Sequence, residues 1–214
     1  MSNRESAIKK MNLYGKERKS FLFIIDSEMD HNEVILLDET VGNEILFDIG
    51  NFSNCSEKTQ TVREPVFEKF PVSFEKYRFM FDNVMKHIFA GNTYLINLTC
   101  ETPIITDLAL KEIFLLSNAK YKLLYKNQFV VFSPEIFIKI HDGIIESFPM
   151  KGTIDASVEN AEKTILENYK EMAEHYTITD LIRNDLSMVA SEELVTGKFK
   201  NYRKACTRLF ILSR

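Results

Sequence analysis

The chain has 214 residues, of which 45% are apolar and 27% charged, proportions that are ordinary for a globular protein and exclude global disorder. Lysine and arginine total 27 against 31 aspartates and glutamates, so the formal net charge is −4, which argues against a nucleic-acid binder and against an anionic-membrane binder. Seven glycines and five prolines exclude collagen-like and linker-like architecture.

The first part of the chain predicts a small antiparallel sheet. Apolar, β-branched and aromatic residues predict three strands, at residues 20–26, 33–38 and 44–49. The polar segment 53–73 contains two prolines and predicts a connection. We therefore interpret residues 1–73 as a β-rich N-terminal region and residues 74–214 as a second region.

Helices and strands alternate in the middle of the chain. Apolar residues at three- and four-residue spacing predict an amphipathic helix over 74–90 that ends at Gly91. An alternating pattern predicts a strand over 93–102, and the segment 107–118 predicts a short helix. Several consecutive strands are expected between 120 and 148, two of them joined by a hairpin at Asp142-Gly143.

The pattern becomes helical from residue 157 to about 189. Asn168 followed by Glu171 resembles a capping box, which predicts that one helix ends near 167 and another begins near 169. The final segment, FKNYRKACTRLFILSR, fits an interrupted domain and an ordinary C-terminal strand equally well. The predicted class is α+β with mainly antiparallel strands.

The cysteines and the apolar runs indicate the cellular compartment in which the protein is expected. Cys55, Cys100 and Cys206 form neither a C-x-x-C pair nor a cysteine–histidine cluster, and their odd number fits a reducing compartment. The apolar run at 21–25 is too short for a signal sequence or a membrane span. We therefore expect a soluble, cytoplasmic protein without a membrane partner.

Two segments between strands carry residue types that suit catalysis. Glu135 in FSPEIF could act as a general acid or base if burial raised its pKa, or it could be a solvated turn acid. Lys151 in FPMKGT could be a nucleophile in its neutral form, or it could be a surface lysine in a turn. The backbone N–H groups of Gly152 and Thr153 could hold an anion.

The predicted second helix of the last third carries acids that suit a hard cation. Glu174 could bind Mg²⁺, although acids on a helix are usually its solvated face. His175 has no second histidine at metal-binding spacing, so a zinc site of the HExxH type is excluded and a packing or capping role is favoured. Asp180, Arg183 and Asn184 lie three and four residues apart and suggest a structural polar network.

Taken in order, four blocks of the chain resemble the chorismate-utilising enzymes, which include aminodeoxychorismate, anthranilate, isochorismate and salicylate synthases. The blocks are GNTYLINLT (91–99), FSPEIF (132–137), FPMKGT (148–153) and AEHYTITDLIRNDL (173–186). They are similar to the family's G-D-x-Y-Q-x-N-L-T, S-P-E-R-F, P-I-K-G-T and A-E-H-L-M-x-V-D-L-x-R-N-D-L blocks. The resemblance implies two packed, mainly antiparallel sheets with helices outside, and it makes residues 74–214 the N-terminal half of the catalytic domain.

Within the family, the residue before Gly-Thr is lysine in aminodeoxychorismate synthases and typically alanine in anthranilate synthases, and here it is Lys151. The resemblance therefore implies that Lys151 attacks chorismate at C2, that Glu135 protonates the leaving C4 hydroxyl, and that ammonia then adds at C4. Gly152 and Thr153 would bind the ring carboxylate, and Glu174 would bind Mg²⁺. A glutamine amidotransferase subunit, or ammonium, would supply the ammonia.

The implied product is 4-amino-4-deoxychorismate, a precursor of p-aminobenzoate and folate. An anthranilate or isochorismate synthase remains an alternative within the family, and a non-catalytic fragment is an alternative of another class. The family's distal glycine-rich block and its second Mg²⁺-binding glutamate do not occur before Arg214. The resemblance therefore implies a truncated fold, and we expect this chain alone to lack synthase activity.

Overall fold

The computed structural model describes residues 3–40, 44–56, 64–133, 135–190, 201–206 and 209–213, and of Lys151 and 201–213 it describes the backbone only. The helices of these ranges are α1 (Asn3–Lys16), α2 (Phe74–Phe89), α3 (Leu110–Leu116), α4 (Ala161–Glu167) and α5 (Tyr169–Ser187). The strands are β1 (Phe21–Ile24), β2 (Glu33–Leu36), β3 (Ile45–Ile49), β4 (Phe52–Ser53), β5 (Phe67–Lys69), β6 (Ile104–Thr106), β7 (Tyr121–Tyr125), β8 (Phe129–Ser133), β9 (Lys139–His141), β10 (Ile144–Glu146), β11 (Met150–Asp155), β12 (Asn201–Cys206) and β13 (Leu209–Ser213). The predicted α+β class is confirmed.

The strands form small sheets in which antiparallel pairing dominates. β1 pairs with β2, β5 with β6, and β9 with β10, each in an antiparallel arrangement. A four-stranded sheet has the order β4-β3-β7-β8, and a three-stranded antiparallel sheet has the order β11-β13-β12. β11 therefore lies at an edge of its sheet, and none of the described helices is long and apolar enough to cross a bilayer.

The described chain divides into two compact units, each with buried apolar residues of its own. The first unit comprises residues 1–45, 55–118 and 124–130, and the second comprises 46–54, 119–123 and 131–214. Buried side chains of the first unit include Ala7, Val34, Ile45, Phe114 and Leu124, and those of the second include Phe47, Ala161, Ile165, His175 and Thr179. The division at residue 73 that the sequence suggests stays a prediction.

Several predicted boundaries are confirmed because local chemistry determines them. The hydroxyl of Ser73 accepts a hydrogen bond from Lys76 N at 3.3 Å and caps α2, which ends just before Gly91. Asn168 caps α5 by accepting a hydrogen bond from Glu171 N at 3.1 Å. In the hairpin between β9 and β10, Asp142 and Gly143 have φ values of 50° and 75°, as a two-residue I′ turn requires.

Two segments differ from the prediction. No helix is predicted before residue 20, yet the N-terminal segment forms α1, and its less exposed residues Ala7, Met11 and Tyr14 follow a helical spacing. The strand predicted over 93–102 is wrong, because the structure has no strand there. Tyr94 is 86% exposed and Ile96 54%, so the alternating side chains meet neither a core nor a partner strand.

Glu33 on β2 joins that strand to the end of β7 within the first unit. The carboxylate Oε1 accepts a hydrogen bond from the Tyr125 hydroxyl at 2.9 Å and another from the Lys126 ammonium. The Lys126 hydrogen bond, with a smaller contribution from Tyr125, lowers the pKa of Glu33 below its usual value. The ionised form of Glu33 is therefore favoured in the folded protein, and its contribution to stability depends on pH.

We expect Tyr125→Phe to lower the free energy of unfolding at pH 7 by about 1 kcal/mol, because it removes a hydrogen bond to a partly exposed carboxylate. The pKa of Glu33 is lowered in the folded state, so this stability is complete above the pKa of the unfolded chain and is lost as the pH falls through the folded-state pKa. Denaturant unfolding at neutral and acidic pH measures both effects.

Tyr121→Phe on the same strand is the matched control, because the Tyr121 hydroxyl makes no hydrogen bond within the described ranges. This control should leave the pH dependence unchanged. An equal loss of stability in Tyr125→Phe at acidic and neutral pH would contradict the role of the Glu33 carboxylate.

Candidate active site

A β-bulge interrupts β11 at Gly152. Lys151 pairs with Leu212 and Thr153 with Ile211, so the register shifts by one residue at the glycine. Gly152 has a φ of 70°, in the left-handed region that favours glycine. A bulge leaves its extra residue outside the regular ladder, and here that residue is Gly152.

Gly152 also permits a close approach between β11 and α5. A Cβ atom at residue 152 would lie 2.8 Å from Glu171 Oε2 and 3.2 Å from Glu171 Cβ, so the Glu171 side chain would have to move to admit a methyl group. Glu171 is held there because the Asn168 cap fixes the first turn of α5. The absence of a side chain at 152 therefore brings a carboxylate next to the bulge.

Two carboxylates and one ammonium group converge on the first turns of α5. Lys170 Nζ lies 2.9 Å from Glu174 Oε1 and 3.2 Å from Glu171 Oε1. These two partners, Glu174 first, raise the pKa of Lys170 above its usual value. The Glu171 side chain is only 21% exposed and the Glu174 side chain is 42% exposed, so both remain reachable from solvent.

The side of α5 that continues from Glu171 toward the C-terminus is structural. His175 is 2% exposed and Thr179, four residues later, is 4% exposed, so this face is buried. The burial of His175 agrees with the packing role that the sequence favours over a metal-binding role. Arg183 Nη2 donates a hydrogen bond to Asp180 Oδ1 at 2.6 Å, as the predicted polar network requires.

Glu135 lies just after β8, and its backbone N–H donates a hydrogen bond to Ser133 Oγ at 3.0 Å. Its side chain is exposed. Across the described part of the chain, no hydrogen bond or ion pair joins Glu135 to Glu174. The backbone of Lys151 belongs to β11, whereas its side chain lies outside the described residues. The structure thus brings Gly152 next to Glu171 of α5, and the catalytic roles of Glu135 and Lys151 stay predictions.

The carboxylate pair has the donor chemistry that Mg²⁺ prefers. Mg²⁺ is often held by one or two carboxylates and completes its coordination with water and substrate oxygens. A cationic group, the Lys170 ammonium, already lies between Glu171 and Glu174. No group of three or more histidine, cysteine or acidic side chains with metal-binding geometry occurs in the ranges that the structure describes. The residues present therefore fit a magnesium ion that shares its coordination with a ligand.

Sequence reasoning selected Glu174 and overlooked Lys170. The spacing of four residues between Lys170 and Glu174 is the signal that could have indicated the ion pair. The contact between Glu171 and Gly152 joins residues 19 positions apart (171 − 152), and no spacing rule applies to such a pair.

The comparisons with known proteins agree on one family. A family model described as chorismate binding enzyme matches residues 9–204. An uncharacterized PabA-like protein of Haemophilus influenzae is 44% identical over 200 residues, which cover 93% of this chain and 60% of that protein. A PabA-like protein of Pasteurella multocida is 41% identical over 202 residues, which cover 94% of this chain and 62% of that protein.

A more distant relative carries an enzyme name. Anthranilate synthase component 1 of Bacillus subtilis is 30% identical over 161 residues, which cover 69% of this chain and 31% of that protein. The chain spans about three fifths of the length of the two PabA-like relatives.

We expect Gly152→Ala to destabilise the protein more than Gly143→Ala does. Both glycines have a positive φ, 70° and 75°, so alanine should cost about 1–2 kcal/mol at either position. Only at 152 does the new methyl group also meet Glu171, which should add about 1–3 kcal/mol of overpacking. Denaturant unfolding of the two variants measures the difference.

The double variant Gly152→Ala/Glu171→Ala tests the cause of that difference. Removal of the Glu171 side chain should relieve the excess destabilisation, because it removes the atoms that the new methyl group meets. Equal destabilisation by the two single variants would show that the close contact is not a constraint.

Proposed function

The chain belongs to the chorismate-binding enzyme family, and we propose that the protein aminates chorismate to 4-amino-4-deoxychorismate, as an aminodeoxychorismate synthase component I does. The observation that carries the proposal is the glycine bulge of β11, which Lys151 precedes and which the Glu171 carboxylate of α5 approaches. Glu171 and Glu174 share the Lys170 ammonium. The proposed product leads to p-aminobenzoate and folate.

In the proposed reaction, Lys151 is the nucleophile. Its neutral amine forms a bond to C2 of chorismate, both conjugated ring double bonds shift, from C1=C2 to C1=C6 and from C5=C6 to C4=C5, and the bond between C4 and its hydroxyl oxygen breaks. Glu135 gives its proton to the departing hydroxyl, which leaves as water. A lysine with its ordinary pKa of about 10.4 is protonated at neutral pH, so the site must lower this pKa before attack.

Ammonia completes the proposed reaction at C4. As its nitrogen bonds to C4, both double bonds shift back to C5=C6 and C1=C2, and the bond between C2 and the nitrogen of Lys151 breaks. The proton that the ammonia nitrogen gives up goes to the departing lysine amine, and the remaining protons stay on the new amino group. A glutamine amidotransferase subunit, or ammonium in solution, is the proposed source of ammonia.

Substrate binding in this proposal uses the backbone of the bulge. Chorismate carries carboxylates, and the N–H groups of Gly152 and Thr153 can donate hydrogen bonds to the carboxylate on the ring. The left-handed conformation of Gly152 supports this assignment, because consecutive N–H groups near a left-handed residue form a concave anion site. In this proposal, these groups orient the ring for attack at C2.

Glu174, with Glu171 beside it, is the proposed holder of magnesium. When bound, Mg²⁺ supplies positive charge that neutralises the carboxylate of the substrate ring. Without a cation, the two glutamates next to the bulge would repel an anionic substrate. The role of these residues is thus to keep a cation close to the N–H groups of the bulge.

Anthranilate formation is the second candidate, because anthranilate synthase component 1 of Bacillus subtilis is 30% identical to this chain over 161 residues. Lys151 favours the amino product, since the resemblance places a lysine at this position in aminodeoxychorismate synthases and typically an alanine in anthranilate synthases. Isochorismate formation and a non-catalytic role are the remaining alternatives.

A product assay tests the proposed function. The chain is joined to the part of the Haemophilus influenzae relative that lies outside the 200 matched residues, because this chain covers 60% of that protein. Incubation of this chimera with chorismate, ammonium and Mg²⁺, followed by a lyase, should yield p-aminobenzoate. Fluorescent anthranilate without the lyase would favour the second candidate, and no turnover would favour a non-catalytic role.

Lys151→Ala tests the nucleophile in the same chimera. Without ammonium, the parent should gain the mass of one chorismate less one water at Lys151, and the variant should not, because it lacks the amine. Intact-protein mass spectrometry measures the adduct, and Lys139→Ala on β9 is the control that should keep it. An adduct in Lys151→Ala would contradict the assignment.

Glu135→Gln tests the general acid. We expect the rate of amino-product formation to fall by about 10²–10⁴-fold, because glutamine cannot donate the proton that the leaving hydroxyl needs. Initial rates at saturating chorismate measure the loss. Glu146→Gln on β10 is the control and should retain the parental rate, and equal rates in the two variants would exclude Glu135 as the acid.

A further inference from the structure

Lys170 occupies a position that helix stability does not explain. It is the second residue of α5, where a positive charge opposes the helix macrodipole. It also precedes Glu174 by four residues, and lysine before glutamate is the less favourable order for such a pair. The reason for a lysine at 170 must therefore lie in the two carboxylates that it contacts.

The ammonium of Lys170 compensates a repulsion that the fold creates. Glu171 and Glu174 lie three residues apart on the same face of α5, and like charges at this spacing destabilise a helix. Glu171 cannot move toward the sheet, because its carboxylate already lies against Gly152. Lys170 Nζ, at 2.9 Å from Glu174 and 3.2 Å from Glu171, balances part of this charge.

The same ammonium lies where a cation shared by the two acids would bind. Its contacts are to Oε1 of each glutamate, so a metal ion that used these oxygens could not bind while Lys170 remains. The Lys170 side chain is 73% exposed and has a flexible four-carbon stem, so its ammonium can turn into solvent without repacking. The ion pair is thus a removable feature of the site.

We propose that Lys170 is an exchangeable counter-cation, which holds Glu171 and Glu174 together in the metal-free protein and is displaced when a divalent cation binds. The inference rests on the proposed function, which assigns the metal to Glu174. The cation and the lysine compete for the same oxygens, so the lysine weakens the apparent affinity for the metal. Before the metal binds, Lys170 keeps the carboxylates of Glu171 and Glu174 close together and neutralises part of their charge.

A titration of the purified chain with Mn²⁺ tests this inference. The loss of the free Mn²⁺ signal in electron paramagnetic resonance measures the binding. Lys170→Met removes the competing charge and keeps the length of the side chain. We expect this variant to bind Mn²⁺ about threefold to tenfold more tightly than the parent, in keeping with the modest strength of exposed ion pairs. Mg²⁺ should displace the bound Mn²⁺ in both proteins.

Two matched variants separate competition from a general change in charge. On α4, Lys163 Nζ lies 4.0 Å from Glu167 Oε1, so this lysine is also paired with a glutamate four residues later. Lys163→Met therefore removes an equivalent charge away from the site and should leave the Mn²⁺ affinity unchanged. Lys170→Arg keeps the competing charge and should bind Mn²⁺ no more tightly than the parent. Adding Glu174→Gln to Lys170→Met should abolish the gain.

Equal Mn²⁺ affinity in the parent and Lys170→Met would overturn the inference, and so would an equal gain in Lys163→Met. The absence of Mn²⁺ binding in both the parent and Lys170→Met would overturn it as well, because the carboxylates would then not be a cation site. These outcomes are distinct from a failure of the proposed function, which product identity and the Lys151 adduct measure.

Discussion

The packing of α5 against β11 depends on one residue that has no side chain. Gly152 adopts a φ of 70°, and a methyl group on it would lie 2.8 Å from the Glu171 carboxylate. The glycine therefore meets two requirements at once, a backbone conformation that suits a bulge and a surface that a helix can approach. The position of the α5 acids relative to the bulge, and hence the whole candidate site, follows from this contact.

The close contact creates an electrostatic problem that shapes the rest of the site. Backbone N–H groups at a bulge favour anions, yet Glu171 brings negative charge next to Gly152, and Glu174 shares the Lys170 ammonium with it. An anionic substrate can approach only if a cation neutralises the two glutamates. Lys170 provides that cation in the structure, and magnesium would provide a stronger one in the proposed reaction. In both proposals a cation neutralises Glu171 and Glu174: magnesium in the proposed reaction, and Lys170 before the metal binds.

The sequence predicts those features that neighbouring residues determine. The Asn168 cap and the Asp142-Gly143 turn are found where expected, because each depends on side chains or conformations within a few residues. The strand predicted over 93–102 is wrong because alternation does not supply a partner strand. The contact of Glu171 with Gly152 was not predictable from spacing, since it depends on how a helix packs against a strand 19 residues earlier (171 − 152).

The resemblance to the chorismate-utilising enzymes suggests roles for Glu135 and Lys151 that the pattern of polar and apolar residues cannot assign. Taken alone, Glu135 and Lys151 fit solvated turn residues as well as catalytic ones, because burial and partners decide between these roles. The order of the four blocks adds the information that these residue types resemble those found at the same places in the blocks of the chorismate-utilising enzymes. In the proposed function, the residue before the glycine decides the chemistry, since an amine there can form a covalent bond to the ring whereas a methyl group cannot. The proposal of amination at C4, against the other reactions of chorismate, therefore depends on Lys151.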